Sequence, residues 1–233
     1  MRLPQAILID LDDTILDDSG CVDACWTDAC SEVAPQAGVD AETLRLAIKQ
    51  HASWWWGDDD RMRRGRLDLR AATTEVVGEV MGQLGCDAAL ALYLANRYRD
   101  LREERATLLD GAIETLEWLR HNDVRLGMMT NGAGPAQRSK IERFALASHF
   151  DYIVIEGEFG VGKPDVRVFE TLLRELRATP ATAWAIGDNL RADVYPAMEM
   201  GIHGIWVDPA DRGVPVDWRE PDRTVRSISD LRP

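Results

Sequence analysis

The sequence predicts an α/β fold: a doubly wound parallel sheet of Rossmann-like wiring with an all-helical domain inserted into it. Three observations carry that expectation. Short unbroken apolar runs recur near both ends of the chain and stop at Asp, Thr, Glu or Gly, as strands buried on both faces of a parallel sheet do. Between the later runs lie apolar residues spaced three and four apart, the mark of helices with one buried stripe. From about residue 20 to 104 only the helical spacing is found.

Taken in order, Ala6-Ile7-Leu8-Ile9 is the first strand. The next stripes are Val22, Trp26, Ala29 and Val33; Leu44, Ile48, His51 and Trp55; Val76, Val77, Val80, Met81 and Leu84; and Ala91, Leu94, Tyr98 and Leu101. They predict about four helices, enough for a small bundle. Because this block interrupts the α/β alternation after its first strand, the expected division is a core domain of 1–17 and 106–233 around a helical domain of 18–105. Alternation then resumes with a helix bearing Ile113, Leu116 and Leu119 and strands over 126–129 and 152–155. Gly162-Lys163-Pro164-Asp165 is expected to open the next helix, with Pro164 in its first turn and a stripe of Val166, Phe169, Leu172, Leu173 and Leu176. Runs at 183–186 and 204–207 complete five strands, joined by right-handed crossovers.

Composition narrows the function. With 27 Lys and Arg against 40 Asp and Glu, the net charge of −13 repels nucleic acid and anionic lipid, while leaving room for one small anion in a cleft with its own cations. No stretch reaches the roughly 18 apolar residues of a membrane helix. Asp10, Asp12 and Asp13 interrupt the amino terminus before a secretory signal can develop. Cys21, Cys25, Cys30 and Cys86 lack paired C-x-x-C spacing. They are expected to be reduced thiols of a cytoplasmic protein.

In an open α/β sheet, ligands collect beyond the carboxyl ends of the strands, where neighbouring crossovers diverge. The polar residues fall there: Asp10-Leu11-Asp12-Asp13-Thr14 after the first strand, Thr130-Asn131-Gly132 after the second, Gly187-Asp188-Asn189 with Asp193 after the fourth, and Lys163 before the intervening helix. Singly, these are also what turns, helix caps and surface cations look like. Their common position and order set them apart. Carboxylates gathered this closely need a cation or a retained proton. Mg²⁺ is the natural candidate, a hard ion that takes one or two carboxylates plus water and phosphate, and the chain has no His or Cys cluster for a softer metal. Asp10 and Asp188 are candidates for those carboxylates. The i, i+2 spacing of Asp10 and Asp12 lets one attack while the other handles protons.

In this order the four motifs resemble those of the haloacid dehalogenase superfamily of aspartate-nucleophile hydrolases, over about 4–16 and 106–208, and the helical insertion resembles that family's C1 cap. The resemblance implies strand order 5-4-1-2-3, with Asp10 between the strands carrying Thr130 and Asp188. It implies Asp10 as nucleophile and Mg²⁺ ligand, Asp12 as general acid/base and ligand through its carbonyl, and Asp188 as second carboxylate ligand. Thr130 and the Asn131 backbone would hold phosphoryl oxygens, Lys163 would neutralise Asp10 and the phosphate, and Asn189 and Asp193 would support the metal and Lys163. Position 13, often Gly in relatives, is Asp here.

The implied activity is Mg²⁺-dependent hydrolysis of a small phosphorylated metabolite by a monomer or homodimer, with no nucleic-acid or membrane partner. A phosphomutase would use the same residues. A 2-haloacid dehalogenase would not need Asp12, since halide leaves without a proton and relatives doing that chemistry lack the second aspartate. A non-catalytic phosphate-binding module would need none of the acid/base groups. Within the insertion, Trp55 continues the apolar stripe of its helix while Trp54 and Trp56 lie about 100° to either side. They are expected to pack the cap; the alternative is that Trp54 or Trp56 covers the leaving group while Arg61, Arg63 or Arg64 supplies a second anion contact.

Overall fold

A computed structural model of the chain describes residues 3–233 and divides it into two compact units, one ending at residue 17 and resuming over 107–233, the other spanning 18–106. In chain order the first unit begins with β1 (Ala6–Ile9) and β2 (Leu16–Asp17). The second unit holds α1 (Val22–Ala37), α2 (Ala41–Trp56), α3 (Asp59–Leu67), α4 (Leu69–Gln83) and α5 (Ala88–Arg105). The first unit then continues through β3 (Thr107–Leu108), α6 (Ala112–His121), β4 (Arg125–Thr130), α7 (Gly134–Arg143), β5 (Tyr152–Ile155), α8 (Glu156–Phe159) and α9 (Val166–Glu175). It closes with β6 (Ala183–Gly187), a π-helical turn over Leu190–Val194 leading into α10 (Tyr195–Glu199), β7 (His203–Val207) and β8 (Arg223–Val225).

The main sheet is parallel throughout, in the order β5-β4-β1-β6-β7-β8. β1 therefore lies between β4 and β6, in register Ile9↔Met128 and Ile9↔Ile186, so the chain leaving its carboxyl end emerges between those leaving theirs. Alternate side chains of β1 enter opposite cores, as a period of two requires. Ile7 and Ile9 pack with Leu116, Leu119 and Leu126 on one face, and Ala6 and Leu8 with Phe169, Leu172 and Leu173 on the other. Gly127 lets α9 approach the sheet, since a Cβ there would stand 2.8 Å from Leu172.

Five details differ from the sequence reading. A sixth strand, β8, extends the sheet past β7, and β2 and β3 pair antiparallel at the boundary of the first unit. Pro164 is not in the first turn of α9: Asp165 is the N-cap, its side chain accepting from the Arg167 N–H, and Pro164 precedes it. Val166 does not join the buried stripe of α9 and is 48% exposed. The helical unit has five helices rather than about four, because the short α3 carries no apolar stripe and buries only Gly65.

The helical unit has its own core, built on Cys25, Ala29, Leu44, Ile48, Trp55, Val77, Met81 and Leu94. Asp40, Asp58, Asp68 and Asp87 cap α2 to α5, each side chain accepting a backbone N–H of the first turn. No helix among the described residues is long and apolar enough to cross a membrane.

Candidate active site

β1 ends in Asp10, which is 6% exposed and is set by a backbone hydrogen bond from its N–H to the Ile186 carbonyl of β6 (3.0 Å). The Lys163 ammonium reaches it across the top of the sheet, Nζ to Oδ1 at 2.5 Å, and also pairs with Asp193 at 2.6 Å. Lys163 is itself only 3% exposed. Asn131 fixes the loop that carries it: the Asn131 side chain donates to the Lys163 carbonyl and accepts from the Lys163 N–H, both at 2.8 Å. That loop must pass close to Asn131 and Glu156, and Gly162 permits it, since a Cβ there would lie 2.5 Å from each.

Asp188 follows β6 and is placed by the Trp206 indole N–H, which donates to its carbonyl at 2.8 Å. Carboxylate oxygens of Asp10, Asp188 and Asp193 all lie within 4.8 Å of one another. One lysine faces three acids, and the electrostatics record the imbalance. Burial pushes the Asp10 carboxyl up to about 6, with Asp193 adding to the rise against the attraction of Lys163. Burial and the neighbouring Asp10, Asp193 and Asp13 push Asp188 further, to about 8. Burial works against the Lys163 charge, but Asp10 and Asp193 outweigh it and hold the ammonium above its ordinary range. A divalent cation on this face relieves the surplus negative charge, and a set of carboxylate oxygens suits a hard ion. The residues present fit Mg²⁺.

Asp12 is held apart from this cluster. Lys140 donates to its Oδ1 at 2.7 Å and Gln137 to its Oδ2 at 3.0 Å, both from α7. Asp13 takes the left-handed conformation, φ 60°, at which a side chain is unfavourable and Gly is at ease. Thr130 closes β4 and is buried beside the same sheet end. Asn189 does not turn its side chain toward Lys163: its Oδ1 accepts from the N–H groups of Arg191 and Ala192, while its own N–H donates to Asp193 at 3.1 Å. It orders the turn bearing Asp193. Gly187 makes room for that aspartate, since a Cβ there would meet it at 2.4 Å.

The sequence reading missed three residues. Gln137 and Lys140 hold Asp12, and buried Glu156 accepts from the Gly132 N–H at 2.9 Å. Thr14, given no role of its own in the first motif, lies 3.5 Å from Asp10. Gln137 and Lys140 stand three apart on one helix directly after Thr130-Asn131-Gly132, a spacing that places both on one face.

In the helical unit, Trp55 is buried and donates to Glu75 at 2.9 Å, Trp54 is 58% exposed, and Trp56 is half-buried. The three arginines considered for anion contact are otherwise engaged. Arg61 lies 4.0 Å over the Trp54 ring and donates to the Trp54 and Trp55 carbonyls, Arg63 pairs with Asp60, and Arg64 with Glu75.

Residues 4–201 match the family model described as haloacid dehalogenase-like hydrolase. A phosphoserine phosphatase of Thermus thermophilus is 30% identical over 250 residues, covering 98% of this chain and 96% of that protein. A glyceraldehyde 3-phosphate phosphatase of Pyrococcus furiosus is 29% identical over 211 residues, covering 88% and 81%. The HAD hydrolase YfnB of Bacillus subtilis, in a crystal structure bound to magnesium, aligns at TM-score 0.73 and 23% identity over 99% of this chain and 97% of its own.

Proposed function

The chain belongs to the haloacid dehalogenase-like hydrolases, and we propose that it is a Mg²⁺-dependent phosphatase that cleaves a small phosphorylated metabolite through an aspartyl-phosphate on Asp10. The observation that carries this reading is the cluster of Asp10, Asp188 and Asp193 around the single buried Lys163. So many acids about one cation make a poor structural device and a good seat for a metal and a phosphate. The relatives named above act on phosphoserine and glyceraldehyde 3-phosphate, both monophosphates of three-carbon molecules.

Asp10 attacks phosphorus in line, so that its carboxylate oxygen bonds to phosphorus as the ester oxygen departs. Asp12 gives its proton to the departing alkoxide. It then takes a proton from the water that attacks the aspartyl-phosphate, which releases phosphate and restores the Asp10 carboxylate. Asp10, Asp188 and the Asp12 carbonyl would hold Mg²⁺, which would supply the charge that lets two anions meet. Lys163 adds to that charge and fixes the attacking carboxylate, while Thr130 and the Asn131 backbone receive phosphoryl oxygens. Gln137 and Lys140 fix the Asp12 carboxylate. The helical unit is the cap, of C1 type, that contributes leaving-group specificity. Asp12 favours hydrolysis over dehalogenation, since halide needs no proton; a phosphomutase would hand the phosphoryl group to a sugar hydroxyl instead of water. All four cysteines are free thiols, which is consistent with a reducing compartment such as the cytoplasm.

Phosphate release from phenyl phosphate, with and without Mg²⁺, tests the reading. Asp10→Ala should cost at least a thousandfold in kcat, about 4 kcal/mol of barrier. Retention of more than that in a folded variant would sink the nucleophile assignment. Asp12→Asn should lose most against esters with poor leaving groups; an equal loss across leaving groups would remove Asp12 as the acid.

A further inference from the structure

The helical unit encloses a cavity of about 330 Å³, at the small end of the range for metabolite sites. Its walls include Trp26, Trp56 and Tyr98, with Trp26 and Tyr98 stacked at 3.6 Å between ring centroids. Three cations and two carboxylates also line it: Lys49, Arg99 and Arg102 against Asp18 and Asp23. Two of the cations are spoken for. Lys49 pairs with Asp23 at 2.9 Å, and Arg102 with Asp18 at 2.6 Å while also donating to the Tyr98 hydroxyl at 2.8 Å.

Arg99 is different. Among the described residues no carboxylate forms an ion pair with it, and its Nε, like that of Arg102, is buried with no hydrogen-bond partner. Burial, reinforced by the charge of Arg102, works against its protonated form and outweighs the weaker pull of Tyr98, Asp18 and Glu103. A half-buried guanidinium with no ion-pair partner, beside three aromatic rings, is a standing cost to the fold. It becomes an advantage when an anion arrives with an apolar body to cover the rings. In a chain of net charge −13, a cavity whose lining is positive by one charge stands out.

We propose that this cavity binds a small organic anion, its carboxylate or phosphate paired with Arg99 and its flat apolar body set against Trp56 and the Trp26–Tyr98 stack. Two sources could present that chemistry: the far end of the phosphate-ester substrate, or a separate metabolite. Only the first of these rests on the phosphatase reading.

Calorimetry on the full chain with 3-phenylpropionate as probe, and 3-phenylpropanamide as its neutral twin, tests the site. The acid should bind saturably and the amide at least tenfold more weakly. Arg99→Met should weaken the acid at least tenfold, and Arg99→Lys should recover part of the loss. Arg99→Met should also melt no lower than the wild type, because it removes a half-buried cation that has no ion pair. Equal binding of acid and amide, an unaltered Kd in Arg99→Met, or no binding of the acid at millimolar concentration would each overturn the proposal. To separate the sources, KM is compared between phenyl phosphate and the phosphate ester of 3-(4-hydroxyphenyl)propionate. If the cavity takes the far end of the substrate, the ratio of the two KM values shifts at least tenfold in Arg99→Met. If it takes a separate metabolite, the ratio stays and 3-phenylpropionate does not compete with either ester; both results support the site. Failure of the phosphatase reading would show as no Mg²⁺-dependent turnover of either ester by the wild type, and the binding arm does not depend on that.

Discussion

Asp188 shows how the site trades stability for chemistry. Its carboxyl sits at about 8 because burial and three neighbouring acids disfavour its charge. An acid whose folded pKa is raised draws stability down as pH climbs from the unfolded value, near 4, toward the folded one. In metal-free buffer Asp188→Asn should therefore raise the melting temperature, more at pH 8 than at pH 5. The expected gain is roughly 2–6 °C, the scale of 1–2 kcal/mol in a chain of this size. The same variant should lose the stabilisation that Mg²⁺ confers on the wild type. A lower melting temperature in chelator would show that Asp188 is a structural partner of Lys163 and not a surplus charge. At this scale the sequence was legible where the pattern marks a residue's place: Asp10, Asp12 and Asp188 follow strand ends and Lys163 precedes a helix. Gln137 and Lys140 were not found, because a Gln and a Lys on a helix read as solvated until the fold shows what they face.

At the level of elements, apolar runs of four residues announced the interior strands β1, β4, β6 and β7 and the edge strand β5, whose second half is buried. The edge strand β8 has only three residues, Arg223-Thr224-Val225, and one buried side chain. A strand half open to solvent needs no apolar run, so no pattern marked it. The segment after it is nonetheless core: Val225, Ile228 and Leu231 pack with Ile205 and Val207, and Ser227 and Asp230 form a capping box around the turn. Ile228 is 1% exposed, so Ile228→Ala should cost about 2–4 kcal/mol in a urea melt. A loss under 1 kcal/mol would mean that the tail is an appendage. The helix α3 escaped for the opposite reason. It buries no apolar stripe, and it is held by the Asp58 cap and by Gly65, where a Cβ would collide with Trp55 at 2.6 Å.

For the molecule as a whole, a net charge of −13 sets a field that opposes a phosphate dianion beyond the reach of Lys163. At fixed free Mg²⁺, kcat/KM for an alkyl phosphate should stay level or rise up to a few-fold as ionic strength goes from about 0.02 to 0.2 M, where screening shortens to under about 10 Å. A steep fall would reveal local positive steering that outweighs the global charge. By itself the sequence determined the class of fold, the division by periodicity into strand-and-helix and all-helix stretches, and the residue types at the strand ends, because each of these depends on neighbours within a few positions. The tertiary structure decided what depends on neighbours far along the chain. It set β1 between β4 and β6, so that Asp10 meets a lysine 153 positions away. It gave the Asp12 carboxylate to α7, and it left Arg99, one arginine among many in the sequence, beside a cavity with its Nε unbonded. Local periodicity says which way a side chain points from its own backbone. Only the packed fold says what stands opposite, and charge, pKa and binding all follow from that.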